Sequence, residues 1–204
     1  MNATLRNPAT FAVIGLAAAL LFAAVWLAAA TSDPSWELGV NTLSDMGVSD
    51  VSLTENLFNY GCVAAGFLVV LFGLGRSSFG DRAGRASGYL TAAAGLFLAL
   101  VGVFDKGFGD GNMHLAVAYL FFALLALAVF ASIASDWRGR RWAGLAVSVA
   151  AVVVTVASLA AGSLALTEAV FVACALVWLI PQSLGMAAPG APCAQAQSVQ
   201  PHGG

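Results

Sequence analysis

Residues 115–133 read LAVAYLFFALLALAVFASI, a run without a single charged side chain. The hydrocarbon core of a bilayer is about 30 Å thick, and an α-helix needs about 20 apolar residues to cross it. The run therefore predicts a transmembrane helix. Five further apolar runs of similar length occur, so the predicted spans are residues 9–30, 57–75, 86–104, 115–133, 142–161 and 168–187.

Composition separates this chain from soluble proteins. Hydrophobic residues make up 60% of the 204 positions and charged residues 9%, against roughly 45–50% and about 25% in a soluble domain. Strands of a membrane barrel would alternate in polarity over segments of about ten residues, and these runs do not alternate. Helices are then the way to satisfy the backbone in lipid. We predict an all-α bundle of six transmembrane helices, one domain over residues 1–187, followed by a disordered tail, residues 188–204.

Basic residues are distributed unequally between the two sides of the predicted bundle. Short loops rich in Arg and Lys stay in the cytoplasm during membrane insertion. With a cytoplasmic N-terminus, only Lys106 falls outside, and we therefore predict that both termini are cytoplasmic in a multi-pass protein of the cell membrane. The first apolar run exceeds the 7 to 15 residues of a secretory signal core, so it is interpreted as a spanning helix. The residues predicted inside are Arg6, Arg76, Arg82, Arg85, Arg138, Arg140 and Arg141.

The longest connection, residues 31–56, is predicted on the outer side. It mixes apolar residues with acidic ones, which is unusual for a solvated linker. We interpret it as a lid over the helix ends, with Trp36 at the level of the lipid headgroups.

Polar side chains gather at the same outer level. Asn59 lies about one helical turn below the surface, where an unpaired amide is costly, so we expect it to bind the lid backbone or the turn before His114. Asn112 and Thr167 are placed to cap the fourth and sixth helices. Together with Lys106, the predicted binding residues are Ser44, Asp45, Asn56, Asn59, Asp105, Asp110, His114 and Glu168.

Several chemistries are compatible with this outer cluster. Asp105, Asp110 and His114 offer ligands for a divalent cation. Asp45, His114 and Glu168, with Ser44 as a nucleophile, are candidate catalytic residues, although no spaced triad motif is present. A polar network that ties the lid to the helix ends, with Lys106 neutralising part of the acidic charge, needs no ligand at all. A carrier would instead require a polar path through the membrane, for which Ser148, Thr155 and Ser158 are the candidates.

The motifs NTLSDMG and NLFNYG, the turn at Asp105 and the segment HLAVAYLFFALLALAVF resemble the membrane family catalogued as domain of unknown function 998. The resemblance spans residues of about 9–187. It implies six helices, a Ser-Asp-x-Gly stretch at Ser44, Asp45 and Gly47, Asn residues at the start of helix two and a His that opens helix four. It implies no activity.

The leading interpretation is an outer pocket that binds a lipid headgroup or a cation in a structural or sensory role. The alternatives are a membrane enzyme that acts on lipid at the outer interface and a small-solute carrier. We expect no cofactor and no nucleic-acid partner, since phosphate-binding glycine loops, paired haem histidines and basic patches for nucleic acids are missing. The lipid bilayer is the one partner that the sequence predicts.

Overall fold

The computed structural model describes residues 7–187, so the predicted disordered tail lies outside the described residues. Six helices account for most of this part of the chain, and it contains no strand. All six are long and apolar enough to cross a membrane, as predicted, and the chain is a multi-pass membrane protein. They are α1 (Pro8–Ser32), α2 (Ser52–Ser77), α3 (Arg82–Val103), α4 (Asn112–Arg138), α5 (Trp142–Leu159) and α6 (Leu164–Ala187).

Most helices extend beyond the predicted apolar runs, by up to five residues. α2 begins at Ser52, α4 continues to Arg138 and α6 begins at Leu164, whereas the sequence predicted 57, 133 and 168. The predicted caps are wrong for the same reason. Asn112 is the first residue of α4, behind Gly111 at φ 76°. Thr167 lies inside α6, and the Ser163 hydroxyl accepts a hydrogen bond from Leu166 N instead (3.1 Å).

Each helix packs against the next one in the chain, and α6 returns to pack against α1, which closes a ring. Successive helices are antiparallel, so the connections lie at two ends of the bundle. We call the end with residues 33–51, 104–111 and 160–163 the lid face, and the end with residues 78–81 and 139–141 the arginine face. The start of α1 and the end of α6 also lie at the arginine face, where Gly15 contacts Phe72 and Ser183.

The closest helix contact is a seam of small residues between α2 and α3. Gly66 and Gly73 on α2 face Gly88 and Gly95 on α3, and both pairs are seven residues apart. A Cβ added at Gly73 would lie 2.4 Å from the backbone nitrogen of Ala92. Membrane helices approach this closely only where small residues allow backbone contact. The seam fixes α2 and α3 as one rigid unit.

The interior between the two faces is apolar. Buried Ala, Leu, Val and Phe side chains from the helices form one core. A small cavity of about 50 Å³ at its centre is lined mainly by apolar side chains, among them Phe22, Leu98, Phe121 and Leu125. Polar groups are therefore concentrated at the lid face and the arginine face.

Candidate functional site at the lid face

The lid is an ordered segment built around a short 3₁₀ helix, Leu43–Val48. The Asp45 carboxylate accepts a hydrogen bond from Thr42 N (2.7 Å), which fixes the first turn. Trp36 closes the loop, because its indole N–H donates to the carbonyl of Thr42 (2.9 Å). Local hydrogen bonds of this kind hold Thr42, Leu43 and Ser44 in place above the helix ends.

Hydrogen bonds from side chains hold the lid in place. The Asn59 amide donates to Gly47 O (2.9 Å), so its partner is the lid backbone, one of the two partners predicted for it. The Ser163 hydroxyl donates to Gly39 O (2.7 Å). The Ser49 hydroxyl donates to Asp33 (2.5 Å). Hydrogen bonds from the hydroxyls of Ser35 and Ser49 lower the pKa of Asp33 below its ordinary value.

Lys106 connects the lid to the turn between α3 and α4. Its ammonium donates to the Asp45 carboxylate (2.5 Å) and to the Thr42 hydroxyl (2.6 Å). Burial alone would raise the pKa of Asp45, but the hydrogen bonds from Lys106 and Thr42 outweigh it and lower that pKa. An ammonium has three N–H donors, so one donor of Lys106 remains for another acceptor.

Glu168 brings a second carboxylate to the same place from α6. It accepts a hydrogen bond from Leu43 N (3.1 Å) and a long one from the Ser44 hydroxyl (3.4 Å). Lys106 also attracts it electrostatically. Two carboxylates, Asp45 and Glu168, thus share one ammonium, and the cluster carries an excess of negative charge.

His114 enters the cluster from the first turn of α4. The side chain is 2% exposed, and its Nδ1 lies 2.8 Å from the carbonyl of Phe104. A carbonyl oxygen can only accept, so we assign the proton to Nδ1. The other ring nitrogen, Nε2, is then the one available to a ligand.

These side chains line one end of a cavity of about 360 Å³ between α4, α5 and α6. Its polar end is formed by Thr42, Ser44, Lys106, His114 and Glu168. The rest is apolar, and it extends toward the lipid-facing surface, where Tyr119 and Leu159 are exposed. The apolar lining consists mainly of Leu115, Ala118, Tyr119, Phe122, Leu159, Leu164 and Phe171.

The cavity continues toward the membrane centre because of the way α5 packs. The buried residues of α5 are Gly144 and Ser148, both in its first half, near the arginine face. Toward the lid face, Thr155 lines both the outer cavity and a second one of about 120 Å³ that lies deeper. We call these two adjoining cavities the groove: both are lined by Thr155 and Phe171, and together they follow α4 from Leu115 to Phe130, about 22 Å at 1.5 Å per residue.

Other predicted site residues lie outside this cluster. Asn56 is exposed on α2. Asp105 and Asp110 accept hydrogen bonds from the backbone of their own turn, from Gly107 N (2.8 Å) and Asn112 N (3.1 Å). Among residues 7–187, no group of three His, Cys, Asp or Glu side chains is arranged to hold a metal ion. The structure therefore does not assemble the metal site suggested for Asp105, Asp110 and His114.

A hydrolytic arrangement would need a nucleophile in hydrogen-bond contact with a base. Ser44 donates to Glu168, and His114 binds the carbonyl of Phe104. Within the described residues, no hydrogen bond joins His114 to Ser44 or Asp45. Of the candidate catalytic residues, His114 and Glu168 line the cavity and Asp45 does not, and the three form no relay.

A second polar cluster, at the arginine face, was missed at the sequence level. Asp136 is 1% exposed, accepts a hydrogen bond from Gln182 (2.8 Å) and forms an ion pair with Arg141 (2.9 Å). The sequence placed Asp136 in a loop because the apolar run of α4 ends at 133. The signal that could have found it is Gln182, a polar side chain inside an apolar span, which faces the bundle interior by default.

Comparison with known proteins gives one match. The family described as "Protein of unknown function (DUF998)" matches residues 16–182. No curated protein and no solved structure matches the chain.

Proposed function

Because the chain belongs to the DUF998 family, whose function is unknown, we propose a function from its site: the lid-face cavity binds a membrane lipid with a zwitterionic headgroup. The single observation that carries this proposal is a groove with a charged end and an apolar remainder, reaching the lipid-facing surface. A lipid has the same division into a charged headgroup and apolar chains.

The charges at the polar end favour a headgroup with an ammonium. The cluster has two carboxylates, Asp45 and Glu168, and one ammonium, Lys106. Asp45 already binds that ammonium at 2.5 Å. Glu168 is left with a weak 3.4 Å contact to Ser44 on one oxygen, so it can accept a hydrogen bond from a ligand ammonium. The third donor of Lys106 is free for a headgroup phosphate oxygen, and His114 Nε2, the acceptor nitrogen in this tautomer, is free for the headgroup ammonium.

The apolar part fits an acyl chain. One leaflet contributes about half of the 30 Å hydrocarbon thickness. The groove along α4 is about 22 Å long, so it is long enough to hold an acyl chain of one leaflet. The positive-inside rule places the lid face outside, since the arginines lie at the other end. The bound lipid therefore comes from the outer leaflet of the cell membrane. The hydrogen-bonded lid supports a structural or sensory role, because it forms the roof of the site.

The enzyme and the carrier are less well supported. An enzyme would need a base in close contact with a nucleophile, but the contact between Ser44 and Glu168 is long (3.4 Å), and His114 binds the carbonyl of Phe104. A carrier would need a polar path from His114 to Arg138. Between these two residues, the side of α4 that faces the core carries Phe121 and Leu125.

The proposal is tested by native mass spectrometry of the full chain in detergent with added phosphatidylethanolamine. Wild type is expected to retain the lipid. Ala118→Trp, which fills the groove without touching the polar cluster, is expected to lose it. Ala116→Trp, exposed two residues away on α4, is the matched control and keeps it.

Retention by Ala118→Trp at the wild-type level would contradict the groove as the binding site. A retained lipid with an altered mass would favour the enzyme instead. Glu168→Gln is expected to reduce the preference for phosphatidylethanolamine over phosphatidylglycerol, because it removes the partner of the ammonium.

A further inference from the structure

Arg76 is an unusual arginine at the arginine face, in the last turn of α2. Its side chain is 4% exposed, and neither Nε nor Nη2 has a hydrogen-bond partner. Buried polar groups are nearly always hydrogen-bonded, and an exception calls for an explanation such as a bound ion or water. A buried unpaired guanidinium is among the costliest of such groups.

The aspartates of this face do not satisfy Arg76. Asp136 forms its ion pair with Arg141 (2.9 Å). Asp81 accepts hydrogen bonds from the Ser135 hydroxyl (2.7 Å) and Gly84 N (2.8 Å) and pairs with Arg138 at 3.5 Å. No ion pair in the described part of the chain includes Arg76. Both carboxylates are therefore occupied by other cations.

The surrounding charge is positive on balance. Arg141 is close enough to Arg76 for the two guanidinium groups to repel each other, while Asp136 and Asp81 attract Arg76 without forming an ion pair with it. The described part of this face has two aspartates, Asp81 and Asp136, and six arginines. The arginines are Arg76, Arg82, Arg85, Arg138, Arg140 and Arg141. Two neighbouring guanidinium groups with unused N–H donors are complementary to an anion with several oxygens.

We propose that Arg76 anchors an anion site for a phosphate group at the arginine face, with Arg141 beside it. A guanidinium binds phosphate through two parallel N–H donors, and Arg76 has free donors at Nε and Nη2. Because Arg76 ends a membrane-spanning helix, the site lies near headgroup level, where basic pockets between helices bind anionic lipids. The phosphate comes either from a lipid of the adjacent leaflet or from free phosphate.

The site is tested by thermal unfolding of the full chain in a non-ionic detergent without phosphate. Inorganic phosphate and mixed micelles with phosphatidylglycerol are the two probes, and micelles with phosphatidylcholine are the uncharged comparison. The Tm of wild type is expected to rise by a few degrees with phosphatidylglycerol or phosphate, because a ligand that binds only the folded state stabilises it. A rise with phosphatidylglycerol alone identifies a lipid as the source, and a rise with phosphate identifies the free ion.

Arg76→Met removes the donors and keeps an apolar side chain. It is expected to unfold at the wild-type Tm or above it without a probe, and to show no rise with either one. Arg85→Gln changes an exposed arginine of the same face and is expected to keep the full rise.

Three results would overturn the site: no rise in wild type with either probe, an equal rise in Arg76→Met, or an equal loss in Arg85→Gln. If Arg76→Met cannot be purified, Arg76→Lys takes its place, since an ammonium lacks the paired donors. A smaller rise in Arg76→Lys then supports the site, and a rise equal to that of wild type overturns it.

Discussion

Lys106 and its partners determine how the lid is held. The ammonium bridges the Asp45 carboxylate and the Thr42 hydroxyl, and both of these residues belong to the lid. Exposed ion pairs contribute little to stability, and this pair is about one third exposed. Its role is therefore one of position: it keeps Thr42 and Ser44 at the mouth of the cavity.

The lowered pKa of Asp45 predicts a dependence on pH. A carboxyl whose folded pKa lies below the unfolded value, about 3.9, stabilises the protein above that pH and loses the effect as the pH falls through the folded pKa. Asp45→Asn is thus expected to have a lower Tm than wild type at neutral pH, and the gap should narrow as the pH falls through the unfolded value and below it. Thermal unfolding across this range measures it.

Asp50→Asn is the control, because Asp50 is exposed and makes no hydrogen bond within the described structure. Its Tm should follow that of wild type at every pH. A gap between Asp45→Asn and wild type that persists in acid would show that the ion pair with Lys106 does not stabilise the lid.

At this scale the sequence could predict that a buried polar group needs a partner, but not which one. Asn59 had to find a hydrogen bond in the lid backbone or in the turn before His114, and it binds Gly47 O of the lid. The sequence could not place Asp105 and Asp110, because an aspartate in a glycine-rich turn can cap its own backbone as easily as face a pocket. Arg76 and Asp136 were missed since each lies past the end of an apolar run yet inside a helix.

The helices differ in how firmly they are packed. α2 and α3 meet through glycines whose backbones touch, whereas the buried residues of α5 are Gly144 and Ser148. This difference gives the bundle a rigid side and an open side, and the groove lies on the open side.

The α2–α3 seam predicts a steric effect. Gly73→Ala would place a methyl group 2.4 Å from Ala92 N, and overpacking of this kind costs about 1–3 kcal/mol. Gly185→Ala, on α6, is the matched control, since a Cβ there meets nothing within 4 Å. The control should be neutral or gain about 0.5–1 kcal/mol from helix propensity. Unfolding in detergent compares the two.

Equal stability of the two alanine variants would mean that α2 and α3 separate enough to admit a methyl group. The seam itself could be suspected from the many glycines in the sequence. Which of them touch could not be predicted, because Gly80, Gly84 and Gly88, spaced four residues apart, include one seam position and two others. Gly80 is open and has φ 95°, and Gly84 contacts Ser135.

At the scale of the whole molecule, hydropathy was sufficient to predict the six-helix fold. Each span must satisfy its own backbone in lipid, so apolar length alone predicts six helices. The cavity could not be predicted in this way. It exists because α5 diverges from its neighbours toward the lid face, which depends on packing between helices that are distant in sequence.

Orientation is a prediction of the charge distribution. In a cysteine-free background, Asp110→Cys at the lid face should react with a membrane-impermeant maleimide added to intact cells. Arg82→Cys at the arginine face should react only after the membrane is permeabilised, because arginine-rich loops remain in the cytoplasm. Both side chains are exposed in the structure, so access to the reagent depends on the side of the membrane.

The opposite labelling pattern would mean that the protein has the reverse orientation in the membrane. The lipid site would then open to the inner leaflet, and the anion site to the outer one. The chemistry proposed for each site would be unchanged, but the leaflet that supplies its ligand would be exchanged.

The one-sided attachment of α5 also bears on selectivity. Its buried residues are Gly144 and Ser148, so α5 is packed more loosely toward the lid face, where the Thr167 hydroxyl still donates to the carbonyl of Ser158 (3.2 Å). A groove with one loosely packed wall would tolerate chains of different length and saturation, whereas its hydrogen-bonded roof would not adjust in the same way. Discrimination between lipid species would then reside in the headgroup.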